Sequence, residues 1–158
     1  MTDAALWTLD AVRKTRASLL DAVAALPPEA WLAVPDGFSN NVLWNVGHVA
    51  VTADLLTYGL AGLDVPAPPA AVAAFRKGTS PSDWAAPPDL DATRRLFLDG
   101  VDRLEADVRA GRFDGAPFRA YTTTPGVTLT GVREALAFDL YHEGLHAGAV
   151  LALRKRVG

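Results

Sequence analysis

Tyr141-His142-Glu143-Gly144-Leu145-His146 lies inside a run, Gly131 to Arg156, that reads as one long helix. Histidines four apart on a helix sit one turn apart on the same face, and two imidazoles in that geometry can chelate one metal ion. Only one other histidine exists: His48, in Leu43-Trp44-Asn45-Val46-Gly47-His48-Val49-Ala50, which also reads as apolar helix. A lone pair of histidines at this spacing is a weak signal, because paired surface histidines are common. Here all three histidines fall in apolar helical runs, and they are expected to meet at one metal.

The 158 residues are expected to form a single domain, residues 1–158, with room for a proper core without covalent staples. Half the residues are hydrophobic, and many of these are alanine, so the core should be built from closely approaching helices. The net charge of −3 gives no general attraction to nucleic acid. Arg154-Lys155-Arg156 falls in the last turn of the final helix, where cations complement the helix dipole. There is no cysteine, which removes disulfides, thiolate ligands and a cysteine nucleophile. The N-terminal stretch, broken by Asp3, Asp10, Arg13 and Lys14, does not read as a signal peptide. No segment is long and apolar enough to span a bilayer, so no membrane partner and a cytoplasmic location are expected.

The first helix is expected from about Asp3 to Leu26, with Leu9, Val12, Leu19, Leu20, Val23 and Leu26 on its apolar stripe. Pro27-Pro28 should end it, and a loop holding Trp31 and Phe38 follows. Ser39 is the expected cap of a second helix running from about Asn40 to Leu60. On that helix Asn41, Trp44, Asn45, Thr52 and Leu55 share the face of His48, a mix of polar and apolar groups that suits a pocket wall. Ala61 to about Pro88 reads as one long crossover, with a short helix near Ala70–Phe75 and Trp84 as its anchor. A connection of that length allows helices two and three to run parallel.

Helix three is expected from Asp89 or Asp91 to near Gly111, with Phe97, Val101, Leu104 and Val108 as its seam. A loop through Tyr121-Thr122-Thr123-Thr124-Pro125-Gly126, with a short extended piece, precedes helix four, which Thr128 or Thr130 should cap. The fold class is therefore all-α, a four-helix bundle with a long crossover between helices two and three.

Neutral imidazole is a good ligand for zinc, nickel, copper and iron, and three protein ligands leave a position for water or substrate. Asp139, about one turn before His142 on the same face, is placed to orient a ligand imidazole or to occupy a coordination site itself. Glu143, to the side of that face, reads either as a general base or as a solvated helix charge. Trp44 reads as a core residue lining the pocket. Gly144 and Gly148 read as packing residues, since small residues four apart let a neighbouring helix approach.

Trp44-Asn45-Val46-Gly47-His48 followed downstream by Tyr141-His142-Glu143-Gly144-Leu145-His146-Ala147-Gly148 resembles the DinB-like family of metalloenzymes, bacterial four-helix bundles. The resemblance covers essentially the whole chain, including Lys77-Gly78 in the crossover and Thr128-Leu129-Thr130 ahead of helix four. It implies an up-down-down-up bundle with a divalent metal, zinc or next nickel, on His48, His142 and His146. Many relatives carry a glutamine shortly after the second helix-four histidine where this chain has Ala149, which points to a different substrate. The family includes S-transferases that join a low-molecular-weight thiol (bacillithiol, mycothiol or glutathione) to an electrophile, and a mycothiol-dependent isomerase. The resemblance thus implies thiol S-transfer with a small-molecule substrate and a thiol cosubstrate. Two alternatives stay open: a metal-dependent hydrolase whose proton is moved by Glu143 or Asp139, and a non-catalytic, stress-associated metal-binding protein. Homodimers are frequent among relatives, and the small-residue face of helix four would suit one.

Overall fold

The structure, a computed structural model, describes residues 3–158. Helix α1 (Asp3–Val23) buries Leu9, Val12, Arg16, Leu19 and Val23, a stripe at alternating three- and four-residue spacing. It stops short of Leu26, whose amide closes a turn onto the Val23 carbonyl at 3.0 Å. The two prolines that follow do more than end it. Pro28 opens a short helix, α2 (Pro28–Leu32), at the position where a missing N–H costs nothing, and that helix carries Trp31 fully into the core.

Helix α3 (Val42–Asp54) is capped by Asn41 and not by Ser39: the Asn41 Oδ1 accepts from the Trp44 amide at 2.8 Å. All but one of its residues are buried, because two of the other long helices, α2 and the crossover all pack against it. It continues as a π-helical turn, Leu55–Gly59. The crossover then folds α4 (Pro69–Phe75) and a 3-10 turn (Pro81–Asp83) onto α3. Trp84 anchors it by donating Nε1–H to the Ala74 carbonyl at 3.0 Å and by meeting the Phe75 ring edge-on. The Phe75 ring lies directly on Gly47, where an added Cβ would be 2.6 Å from three ring carbons. Only a residue without a side chain lets α4 seat there.

Helix α5 (Leu90–Arg109) begins at Asp89, whose carboxylate accepts from the Ala92 amide at 2.6 Å. Phe97, Val101, Leu104 and Val108 are all buried along it. Strands β1 (Tyr121–Thr122) and β2 (Thr128–Leu129) form a two-stranded antiparallel hairpin with Tyr121 opposite Leu129. Helix α6 (Val132–Val157) starts after Gly131, and no threonine caps it. Instead the Glu134 carboxylate accepts from the Thr130 amide at 2.7 Å and the Thr130 hydroxyl at 2.8 Å. The side-chain cap is inverted, with the acid inside the helix.

Four long helices, α1, α3, α5 and α6, make an all-α bundle. Their directions follow from the pairs that touch. Arg13 meets Asp102 while Arg16 meets Phe97, so α1 and α5 run oppositely. Asn45 meets His146 while His48 meets His142, so α3 and α6 do too. Arg16 contacts Glu143, and Leu26 approaches Gly158, so α1 and α6 are parallel. The order is up-down-down-up. Among the described residues no helix is long and apolar enough to cross a membrane. Gly144 and Gly148 differ from expectation: a Cβ on either would meet nothing within 4 Å. Both are exposed, and among the described residues neither packs closely against another helix.

Gly47→Ala is expected to lower stability by roughly 1–3 kcal/mol, the usual penalty for overpacking a core, because Phe75 and α4 must shift together. Urea denaturation of both proteins measures this, with a change below about 0.5 kcal/mol counting against the seating described.

Candidate metal centre

His48 comes from the middle of α3, and His142 and His146 from successive turns of α6. Their ligand atoms all lie within 4.8 Å of one another. The His48 and His142 Nε2 atoms are 3.2 Å apart. Two imidazole nitrogens on one tetrahedral zinc would be about 3.3 Å apart, given a Zn–N length of about 2.05 Å. The spacing fits.

The outward-facing nitrogens are fixed by what holds the inner ones. His48 Nδ1 is 2.7 Å from the Phe75 carbonyl, which can only accept, so Nδ1 carries the proton and Nε2 is a bare lone pair. His146 Nδ1 is 2.8 Å from Asn45 Oδ1. The Asn45 amide is oriented in turn, because its Nδ2 donates to the Asn41 carbonyl at 2.8 Å. The oxygen therefore faces His146, and Nε2 of His146 is also left bare. Such support from behind the ligands sets tautomer and ring orientation. His142 lacks it: its Nδ1 is buried without a hydrogen-bond partner.

All three imidazoles are held neutral. Burial, then the neighbouring histidines, lower His142 to about 3. Burial and His48 lower His146 to about 4, and burial also lowers His48 against the opposing pull of the Phe75 carbonyl. Neutral imidazole is the form that binds metal. Trp44 stacks on His48 with ring centroids 4.5 Å apart and planes at 9°, while its Nε1–H donates to the Thr79 hydroxyl at 3.1 Å. It backs the ligand and ties the crossover to α3.

The histidines open onto a cavity of about 720 Å³. The π-helical turn supplies Leu55, Leu56 and Gly59 to its wall, the crossover supplies Lys77, and the segment around the hairpin supplies Arg119, Tyr121, Thr123 and Thr124. From α6 come Phe138, Tyr141 and Leu145. Of the side chains expected in the pocket, Thr52 lines this cavity. Asn45 and Trp44 stand behind the ligands. Asn41 is the α3 cap, with its Nδ2 donated to the Leu32 carbonyl at 3.0 Å, and does not reach the cavity.

Asp139 and Glu143 lie elsewhere. Both are buried against α1, and neither is solvated. Glu143 Oε1 accepts from Arg16 Nε at 2.9 Å and Nη2 at 2.6 Å. Arg16 is 2% exposed and Glu143 5%. The Arg16 guanidinium also donates to the Phe97 carbonyl and lies 4.7 Å over the Phe97 ring. Burial and then the adjacent Glu143 raise the Asp139 carboxyl well above the usual range. Neither carboxyl lines the cavity, and none of the three histidine Nδ1 atoms bonds to Asp139. The sequence reading misses Arg16, although a signal is present: it falls between Val12 and Leu19 on the apolar stripe, where an arginine demands a buried partner.

The sequence profile of the DinB superfamily matches residues 11–150. The chain belongs to the DinB superfamily. The match spans α1 through most of α6, so it includes both halves of this DinB site. No curated protein matches the chain closely enough to lend it an activity. The donor set of three neutral imidazoles, two with their inner nitrogens hydrogen-bonded, is suited to one divalent ion. His48, His142 and His146 would hold it.

Asn45→Leu is expected to weaken zinc binding by ~10–100-fold, the usual result of losing a hydrogen bond behind a ligand. A competition titration against a chromophoric chelator reads the change. An unaltered affinity would show that Asn45 does not orient His146.

Proposed function

We propose that this protein is a divalent-metal-dependent S-transferase that joins a low-molecular-weight thiol to an electrophile. The observation that carries the reading is the conjunction of three neutral imidazoles with a roomy, mostly apolar cavity opening directly from them. Three neutral ligands add no charge of their own, so a bound divalent ion, zinc or nickel, would keep its full charge and lower the pKa of a thiol that reaches it. The overall change forms one S–C bond and breaks one bond from carbon to a leaving group, which departs with its electron pair while the thiol proton passes to solvent.

The chain's own groups do the rest. His48 and His146, held from behind by Phe75 and Asn45, keep their lone pairs aimed at one point. Leu55, Leu56 and Phe138 supply apolar wall against which an electrophile can pack and from which water is excluded. Thr52, whose hydroxyl is 3.5 Å from His48 Nε2, is the α3 hydroxyl that lines the cavity beside the ligands. Glu143 and Asp139 face α1 and not the cavity, and the pair with Arg16 sets the rotation of the helix that bears two ligands.

In the hydrolase reading a bound ion would acidify water as it would a thiol, and a nearby carboxyl would carry the proton to the leaving group. Among the described residues no aspartate or glutamate lines the cavity, and the want of that proton carrier favours S-transfer to a leaving group that departs without a proton. The test is a conjugation assay with glutathione, bacillithiol and mycothiol against a halogenated aromatic, on protein of known metal content. Turnover that requires both metal and thiol is expected. Silence with every thiol would refute S-transfer, and cleavage of esters or lactones without thiol would establish the hydrolase reading in its place.

A further inference from the structure

The cavity wall is unbalanced in charge. The chain as a whole carries 18 acidic against 15 basic side chains, yet the cavity is lined by Lys77 and Arg119 and by no carboxylate. The two cations arrive on separate segments, and each segment is tied down. Lys77 Nζ donates to the Thr124 hydroxyl at 2.8 Å, which holds the crossover against the hairpin loop. The Arg119 amide donates to the Leu60 carbonyl at 2.7 Å, which fixes that residue to the end of the π-helical turn. Neither side chain forms an ion pair with any described residue. Together with a divalent ion on the histidines they would give the cavity a strongly positive potential, with low-dielectric walls to concentrate it.

We infer that this cavity selects ligands bearing a carboxylate, which Lys77 and Arg119 hold while the rest of the ligand extends toward the histidines. Arginine offers a planar fork that matches a carboxylate, and lysine offers a point charge. The inference rests on the cavity being the substrate site. It narrows the thiols considered above to those with carboxylates, glutathione and bacillithiol, and against mycothiol, which has none.

The experiment compares four probes by calorimetry on zinc-loaded protein: mercaptosuccinate, succinate and the uncharged diamide of each. Each acid is expected to bind roughly tenfold more tightly than its diamide, the order of one or two charge-assisted hydrogen bonds at a partly wet site. In Lys77→Met/Arg119→Met that ratio should fall to within about twofold, with zinc affinity unchanged and the helical circular dichroism retained. Should the double variant fail to fold, each single variant should lose part of the ratio. Acids that bind no better than diamides would overturn the inference. So would a preference that survives in the variants, since that would place the carboxylate on the metal. The thiol reading is scored apart, on cobalt-loaded protein, by the sulfur-to-cobalt charge-transfer band with mercaptosuccinate. A missing band with an intact acid preference would sink S-transfer and leave carboxylate selection standing.

Discussion

The seating of Phe75 on Gly47 is the contact on which the site depends. It closes the long crossover over α3, and in doing so it brings the Phe75 carbonyl to within 2.7 Å of His48 Nδ1. One packing event therefore completes the core and selects the tautomer of a metal ligand. Trp44 reinforces both roles, stacked on His48 and hydrogen-bonded to Thr79 of the crossover. The consequence is that ligand geometry and core packing cannot vary independently at this point.

Where α6 meets α1 the constraint is electrostatic. Arg16 and Glu143 are both withdrawn from water, and each would be costly to bury alone. Removing one partner of such a pair typically costs about 3–5 kcal/mol. Burial and the adjacent Glu143 hold the Asp139 carboxyl beside them well above the usual range, the direction expected where a second anion would be costly. Glu143 follows His142 in sequence, about 100° further round the helix, and meets α1 while His142 meets α3. The rotation that satisfies Arg16 is thus the one that presents His142 and His146 to α3.

Much of this was legible in the residues. Helix periodicity located all four long helices, and the seam Phe97, Val101, Leu104, Val108 is buried as its spacing demands. The three-histidine grouping followed from spacing and scarcity. Helix ends were harder, because Asn41 and Ser39 are both good caps and only tertiary contact chooses between them: Asn41 alone reaches the Leu32 carbonyl. The carboxyls next to the histidines were misplaced for a related reason. A helical wheel gives the angle of Asp139 and Glu143 but not what stands opposite, and here it is a buried arginine. The π-helical turn has no period of its own to reveal it. Phe75 acts through its backbone, so its identity says nothing of its carbonyl. Lys77 and Arg119 converge from two loops, and loop convergence leaves no mark in local sequence.

Helices α3 and α6 contribute to a single three-histidine group, and His48 is the residue that joins them. Zinc titration of His48→Ala beside wild type, with circular dichroism of both metal-free proteins, tests most directly whether that group is one metal centre. The expected result is an affinity at least ~10–100-fold weaker, no smaller than the loss of a group that merely orients a ligand, while both metal-free proteins stay equally helical. Unchanged zinc affinity in His48→Ala, with stability lost instead, would make His48 a core residue and contradict the three-histidine centre.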